Sequence, residues 1–375
     1  MARRKAFVHI GLPGTGGAFL GAELAHHADE LREQGVCTPS RSTHEMFRAA
    51  LEMRRDHKVW GYRRRDVEGV WAGICRRAFK EKGAVVVSHD LLAACTTPQI
   101  ALLLDGLAGL EVHVVVTAQD PATQVVTGWA DTVDTGSAAS FGRFRRRIMD
   151  PTREHEQAQQ FWAAQALDEV LERWGAAVRD PRHVHVVPLP ADTADPRPAI
   201  WRAVGELAGF DAAALPLVAS GPSITLDGAG TSVLREVNDA IDGRLGARDR
   251  AMVSEFLPRE AVTPVRASVP ADLYDDLLEV AERWTKQIAD GGYDVLGATS
   301  DLLPERPADD AQVPDHHPVE ERLARTTDAL ADVLVEVARL REHAADLEER
   351  NAKLEKKKRK LKRRLADATL GPLAE

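Results

Sequence analysis

The stretch His9-Ile10-Gly11-Leu12-Pro13-Gly14-Thr15-Gly16-Gly17-Ala18-Phe19-Leu20 holds the chemistry most directly readable from this sequence. An apolar run from Ala6 to Ile10 enters a glycine-rich turn, and a helical pattern leaves it near Gly17. Such a turn aims main-chain N–H groups and a helix amino terminus at one point, which suits phosphate or sulfate. Glycine matters there because the backbone can approach an anion with no Cβ between them. Metal and thiol chemistry have no comparable constellation. Cys37, Cys75 and Cys95 lie far apart without a CxxC pair, so neither a zinc site nor a disulfide framework is expected. His316-His317 falls in a polar, proline-rich stretch and reads as a solvated pair, so no metal is expected there either.

The elements that must position this loop are four short apolar runs: Ala6 to Ile10, Ala84 to Val87, Val112 to Thr117, and His183 to Leu189. They are continuous rather than alternating, the mark of strands buried on both faces of a parallel sheet. Helical patterns separate them, as right-handed βαβ units require. Residues from Pro190 to about Gly297 are mostly helical with polar breaks and read as the rest of the same domain. The expected fold is a three-layer α/β/α domain with a parallel sheet over residues 1–297.

A proline-rich acidic linker is expected over residues 298–318, where Leu303 to Pro318 alone carries four prolines. Residues 319–368 then carry a heptad pattern. Leu340, Leu347, Leu354 and Leu361 fall seven apart, and Val319, Thr326 and Val333 extend the series upstream. The companion positions are Leu323, Leu330, Val337, Ala344, Asn351, Lys358 and Leu365. This predicts a coiled coil, and the core Asn351 favours a parallel homodimer. The coil ends in a basic run, Lys356 to Arg364. That run suits a solvated helix end, an acidic partner or an anionic membrane surface. It follows the leucines, whereas the basic region of a DNA-binding zipper precedes them.

Composition narrows the function classes. The chain has 375 residues with 44% hydrophobic and 29% charged residues, within the soluble globular range, and a formal net charge of -9. That balance disfavours a nucleic-acid binder, which needs clustered cations. The basic start breaks at Gly11 and Pro13, too early for a secretory signal. No run approaches the roughly 20 apolar residues of a membrane span. A cytoplasmic protein is expected.

Two templates compete for the glycine loop. The nucleoside-triphosphate P-loop reads GxxxxGK(S/T). Gly11 and Gly16 match it, but Gly17 stands in the lysine position and Ala18 in the magnesium-binding hydroxyl position. The sulfotransferase loop typically reads H-I-G-x-P-K-T-G-(S/T)-(S/T)-x-L, and His9, Ile10, Gly11, Pro13, Thr15, Gly16, Phe19 and Leu20 follow that order. Val114 to Pro121 leading to Thr127-Gly128-Trp129 fits a second motif of the same family, and Ser88-His89-Asp90, Phe161-Trp162 with Gln165, and Trp174 are further likenesses. From about Lys5 to Asn238 the chain resembles bacterial sulfotransferase-like proteins of the P-loop type.

The resemblance implies a donor, 3′-phosphoadenosine-5′-phosphosulfate (PAPS), held by Gly11, Pro13, Gly14, Thr15, Gly16, Gly17, Ala18, Gln119 and Thr127. It implies sulfuryl transfer to a hydroxyl or amine of a carbohydrate or small metabolite, with His89 and Asp90 as candidates for the base. In the family a lysine stands at the Gly14 position and an arginine at the Gln119 position, so both donor-binding cations are missing here. Each charge-assisted hydrogen bond is worth roughly 1.5–3 kcal/mol. Weakened or lost activity is therefore expected. The alternatives are a non-catalytic dimeric binding or scaffold module on the same fold and an atypical P-loop kinase.

Overall fold

Valine runs decide the layering. The computed structural model describes residues 3–191, 193, 195–218, 224–245, 253–257, 260–261, 269–308 and 313–369. Val85, Val86 and Val87, then Val114, Val115 and Val116, then Val184, Val186 and Val187 are all buried. Strands with no solvent face must lie inside a sheet covered on both sides. They are β1 (Lys5–His9), β2 (Val36–Cys37), β3 (Ala84–Ser88), β4 (Glu111–Ala118) and β5 (Val184–Pro188). A separate antiparallel pair, β6 (Ile224–Thr225) and β7 (Glu260–Ala261), precedes the last strand, β8 (Asp294–Val295). The main sheet has six strands in the order β2-β3-β1-β4-β5-β8, every neighbour parallel. The four strands expected from sequence form its centre. The edge strands β2 and β8 have two residues each, too few to leave a periodic signal.

Helices cover both faces. They are α1 (Gly17–His26), α2 (Ala28–Glu33), α3 (Thr43–Arg54), α4 (Arg64–Val67), α5 (Val70–Lys80) and α6 (Thr97–Asp105). Then come α7 (Pro121–Asp134), α8 (Phe141–Ile148), α9 (Glu156–Gln165), α10 (Leu167–Gly175), α11 (Arg197–Ala208) and α12 (Gly228–Ile241). A helix over Ala271–Gly291 follows. The strand period of two sends Ala6 and Val8 to one face, under Trp71, Ile74, Leu171, Trp174 and Trp284. Phe7 goes to the other face with Val86, Val115 and Val187, under Leu20 and Leu24 of α1 and Trp201 and Val204 of α11. A third core, built mostly from helices, joins Trp129, Phe141, Phe144, Val233, Leu273 and Leu277.

The C-terminal helix, Val319–Thr369, has 51 residues, a length of about 77 Å at 1.5 Å per residue. Its start is docked. Arg325 pairs with Asp227 and Arg322 with Glu236, and Ala329 packs against the third core. In the proline-rich stretch, Asp315 accepts the Phe141 N–H through Oδ2 at 2.9 Å and the Ser232 hydroxyl through its carbonyl at 3.3 Å. Pro304 is also buried and Arg306 lies over the Tyr274 ring at 5.4 Å, so the stretch is tied to the domain at several points, while residues 309–312 lie outside the described residues. Among the described residues, no helix is long and apolar enough to cross a membrane.

Asp227 serves two elements. Its Oδ1 caps α12 by accepting the Gly230 N–H at 2.6 Å, and its Oδ2 accepts Arg325 Nε at 3.0 Å. Asp227→Ala removes both and should destabilise by about 1–2 kcal/mol, the ordinary worth of a cap, with the ion pair adding to it. Asp227→Asn keeps the cap and should recover most of that loss. Thermal unfolding of the two variants separates cap from pair, and equal midpoints would contradict the double role.

Candidate functional site

The glycine loop is shaped from below by side chains of β1, β3 and β4. His9 is buried, with Nδ1 2.8 Å from Ser88 Oγ and Nε2 3.0 Å from Thr117 Oγ1. Thr15 Oγ1 lies 2.7 Å from Thr117 Oγ1 and donates to the Leu12 carbonyl at 2.6 Å. A carbonyl can only accept, so the direction of every bond follows. Thr15 donates to Leu12, Thr117 to Thr15, His9 Nε2–H to Thr117, and Ser88 to His9 Nδ1. With the imidazole neutral, every one of these donors finds an acceptor. Burial, the dominant cause, pushes the His9 pKa down to about 4 against the opposing field of Asp90.

Gly11 sits on this chain, where a Cβ would come within 2.1 Å of Thr117 Oγ1. Gly16 caps α1 at φ +93°, a region that favours glycine, and a Cβ there would meet Ile200 of α11 at 2.6 Å. Thr15, expected among the anion-binding residues, turns its hydroxyl inward into the chain. Pro13 contributes a carbonyl that accepts from Gln165 Nε2 at 3.0 Å.

The outer side of the loop is different. Among the described residues, the N–H groups of Gly14, Gly16, Gly17 and Ala18 have no protein partner. A Cβ on Gly14 would stand 3.5 Å from Gln119 Nε2 and 3.5 Å from Thr127 Oγ1. The structure thus brings together three positions drawn from two separate motifs. Gln119 Nε2 is buried without a hydrogen-bond partner. The Thr127 hydroxyl donates to the Thr123 carbonyl at 2.8 Å, so only its oxygen lone pairs remain for a ligand. None of the three side chains is a cation.

Gly17 and Ala18 also border a cavity of about 440 Å³. Thr38, Ser40, Thr43, His44, Phe47, His89 and Asp90 line much of the rest. A space of this size suits a small molecule. His89 and Asp90, the candidate base pair, therefore do reach a cavity next to the loop. His89 Nδ1 lies 3.0 Å from Asp90 Oδ1, and its ring stacks on Phe47 with centroids 5.7 Å apart. Asp90 also caps the turn after β3, its Oδ1 accepting the Leu91 N–H at 2.8 Å, while His89 Nδ1 lies 3.2 Å from the same N–H. Burial alone would raise the Asp90 carboxyl. The His89 hydrogen bond and charge, the Leu91 N–H and His9 outweigh it and hold the pKa below the usual carboxylate value. Asp90 also abuts the amino end of α1, where a Cβ on Gly17 would be 3.2 Å from Asp90 Cβ.

The nearby arginines are engaged elsewhere. Arg145 pairs with Asp272, and Arg147 donates to Gln157 at 3.1 Å. Arg197, one turn before Ile200, stacks on Phe19 at 5.9 Å and is paired to Asp195 at 2.7 Å. The cysteines offer no nucleophile. Burial raises Cys37 and Cys75 to about 11 and Cys95 to about 12. Sequence reasoning missed the α3 wall of the cavity, because Thr43, His44 and Phe47 belong to no motif and follow an edge strand too short to notice.

Fold and site together define an α/β protein with a parallel sheet, a glycine loop of free N–H groups at the carboxyl end of β1, and a neighbouring small-molecule cavity. No family model, curated protein or solved structure matches the chain.

The His9 shift has a defined sign. A base whose folded pKa lies below its unfolded value supports stability above the unfolded value, and that support is lost as pH falls from about 6.5 toward 4. The full loss is on the order of 3 kcal/mol, accumulating at about 1.4 kcal/mol per pH unit. Urea unfolding at steps from pH 7 to pH 4 should show a shallower decline for His9→Gln than for the parent chain. Parallel declines would mean that His9 does not titrate as described.

Proposed function

We propose that this chain is a sulfotransferase-like protein of the P-loop type in which sulfuryl transfer from PAPS is weak or lost. The loop persists as a neutral anion cradle beside an acceptor-sized cavity. The observation that carries this reading is the meeting of Gly14, Gln119 and Thr127, with its unpaired amide donor and no cation. Gly11, Pro13, Thr15 and Gly16 fix the loop's shape, while Gly14, Gly16, Gly17 and Ala18 offer N–H groups to an anion. His89 and Asp90 face the cavity from which an acceptor hydroxyl or amine would approach. The carboxylate of Asp90 beside the amino end of α1 works against an incoming anionic donor, because it already complements the helix dipole. A P-loop kinase fits less well, since Gly17 and Ala18 provide neither the lysine nor the magnesium-binding hydroxyl.

Calorimetry with 3′-phosphoadenosine-5′-phosphate tests the reading. The parent chain should bind at millimolar strength or not at all. Gln119→Arg should tighten binding by roughly 1.5–3 kcal/mol, about 10- to 150-fold. Adding Gly14→Lys should gain less than a second full increment. The position has φ +86°, and a side chain there costs about 1–2 kcal/mol. Micromolar binding by the parent chain, or no gain from Gln119→Arg, would defeat the reading.

We further infer that the C-terminal helix forms a parallel homodimeric coiled coil over residues 319–368. Leu340, Leu347, Leu354, Leu361 and Leu365 are each between 44% and 67% exposed in the single chain, one apolar stripe with no cover. Docking through Arg322 and Arg325 leaves that stripe free. Light scattering should give a dimer for the full chain and a monomer for Leu347→Lys combined with Leu354→Lys. An unchanged mass in that variant would refute the zipper.

A further inference from the structure

At the opposite end of the sheet from the glycine loop, a chain of acid and imidazole groups crosses three strands. Glu111 Oε1 lies 3.2 Å from His113 Nε2 on β4. His113 Nδ1 lies 2.8 Å from His185 Nε2 on β5, and His185 Nδ1 lies 2.7 Å from Asp294 Oδ2 on β8. His113 and His185 are buried, their rings stacked with centroids 5.1 Å apart. His183, just before β5, lays its ring 4.2 Å from that of His113. Among the described residues, the His183 imidazole has no hydrogen-bond partner.

Counting protons shows that something is missing. Two carboxylates end the chain, and both are acceptors only. Two neutral imidazoles supply two N–H groups for three contacts. His185 Nδ1–H serves Asp294, which leaves its Nε2 to accept from His113 Nδ1–H. His113 Nε2 is then a bare lone pair facing the bare oxygen of Glu111. This is the longest contact of the three, as two facing acceptors require. The gap calls for a cation, and the unpartnered His183 adds a third donor atom beside it.

We propose that Glu111, His113 and His183 form a site for a borderline divalent transition-metal ion of the zinc class, with His185 and Asp294 as the outer partners that orient His113. One ligand atom from each of the three residues lies within 4.8 Å of the other two. Zinc bonds of 2.0–2.1 Å set a tetrahedral edge of about 3.3 Å, close to the Glu111–His113 separation. Closing the remaining distance takes a movement of about 1.5 Å or less relative to that edge. Half-exposed Glu111 and His183 can supply it by side-chain rotation, without disturbing the strands. The carboxylate–histidine–histidine relay fixes the tautomer that presents Nε2, which is the usual task of groups behind a metal-bound imidazole. Two nitrogens and a carboxylate oxygen suit zinc better than magnesium or calcium, which take oxygen ligands. Three protein ligands leave a fourth position for water or another donor. Lys5, paired in register with Glu111 on β1, is the local charge that opposes the ion. The ion would tie β4 to the segment entering β5, 70 positions beyond His113, a pairing that no motif or spacing in the sequence advertises.

Titrating the full chain with Zn²⁺ by calorimetry, and with Co²⁺ by visible absorption, tests the site. One ion per chain and the intense bands of low-symmetry four-coordinate cobalt are expected. His183→Ala and Glu111→Gln should each weaken Zn²⁺ binding more than about 100-fold, and Asp294→Asn, which acts through His185, by about 10- to 100-fold. Lys5→Gln should tighten it. All four changes lie at exposed or half-exposed positions, so folding should survive, with circular dichroism as the check. Replacing His316 and His317 by alanine should leave the affinity unchanged. Absence of Zn²⁺ binding by the parent chain, or binding that survives His183→Ala with Glu111→Gln, would overturn the proposal.

Discussion

The hydrogen-bond chain from Ser88 through His9, Thr117 and Thr15 to the Leu12 carbonyl is the constraint on which the glycine loop depends. A turn with several free N–H groups on its outer side needs its inner polar groups satisfied by something else. Here that something is a neutral imidazole bridging the ends of β1, β3 and β4. A buried, fully paired network of this kind fixes geometry, because any slip leaves a polar group unpaired in a medium of low dielectric. Gly11 follows from it, since any side chain at that position would collide with Thr117. Gly16 follows from the next step, where the chain turns left-handed under Ile200 and α1 begins.

One face of the sheet carries polar clusters at both ends. Phe7, Val86, Val115 and Val187 separate them as an apolar band. At the carboxyl end the chain closes with hydroxyls, which both donate and accept, so a neutral histidine completes it. At the amino end carboxylates stand at both termini, and the same accounting comes out one proton short. The two clusters use the same residue type in the same layer. Their end groups alone separate a self-contained structural network from one that has room for a cation.

The electrostatics of the loop run in one direction. Main-chain N–H groups and a helix amino terminus attract an anion, and the unpaired Gln119 amide adds a neutral donor. Among the described residues no lysine or arginine joins them, while Asp90 stands against the start of α1. Partial dipoles of this kind can hold a singly charged group weakly. A nucleotide with several phosphates needs formal positive charge close by, where its desolvation is compensated. The loop thus has the shape of an anion site without, among the described residues, the cationic side chains that would make it a strong one.

Much of this was legible in the sequence. Runs such as Val85-Val86-Val87 mark buried parallel strands because burial on both faces removes alternation, and that signal is local. The glycines at 11, 14 and 16 announce a turn for the same local reason, and the neutral residues at positions 14, 17, 18 and 119 can be read letter by letter. The heptad leucines likewise declare an apolar stripe. Tertiary structure decided which groups meet. Gln119 and Gly14 become neighbours only when β4 lies beside β1. His113 and His185 are 72 positions apart, and Asp294 is 109 beyond His185. They form one chain only because parallel pairing sets their strands in register. Periodicity reports how a segment buries itself, but not which distant segment it pairs with, and the contacts His9–Ser88, His9–Thr117, His113–His185 and His185–Asp294 all cross between strands.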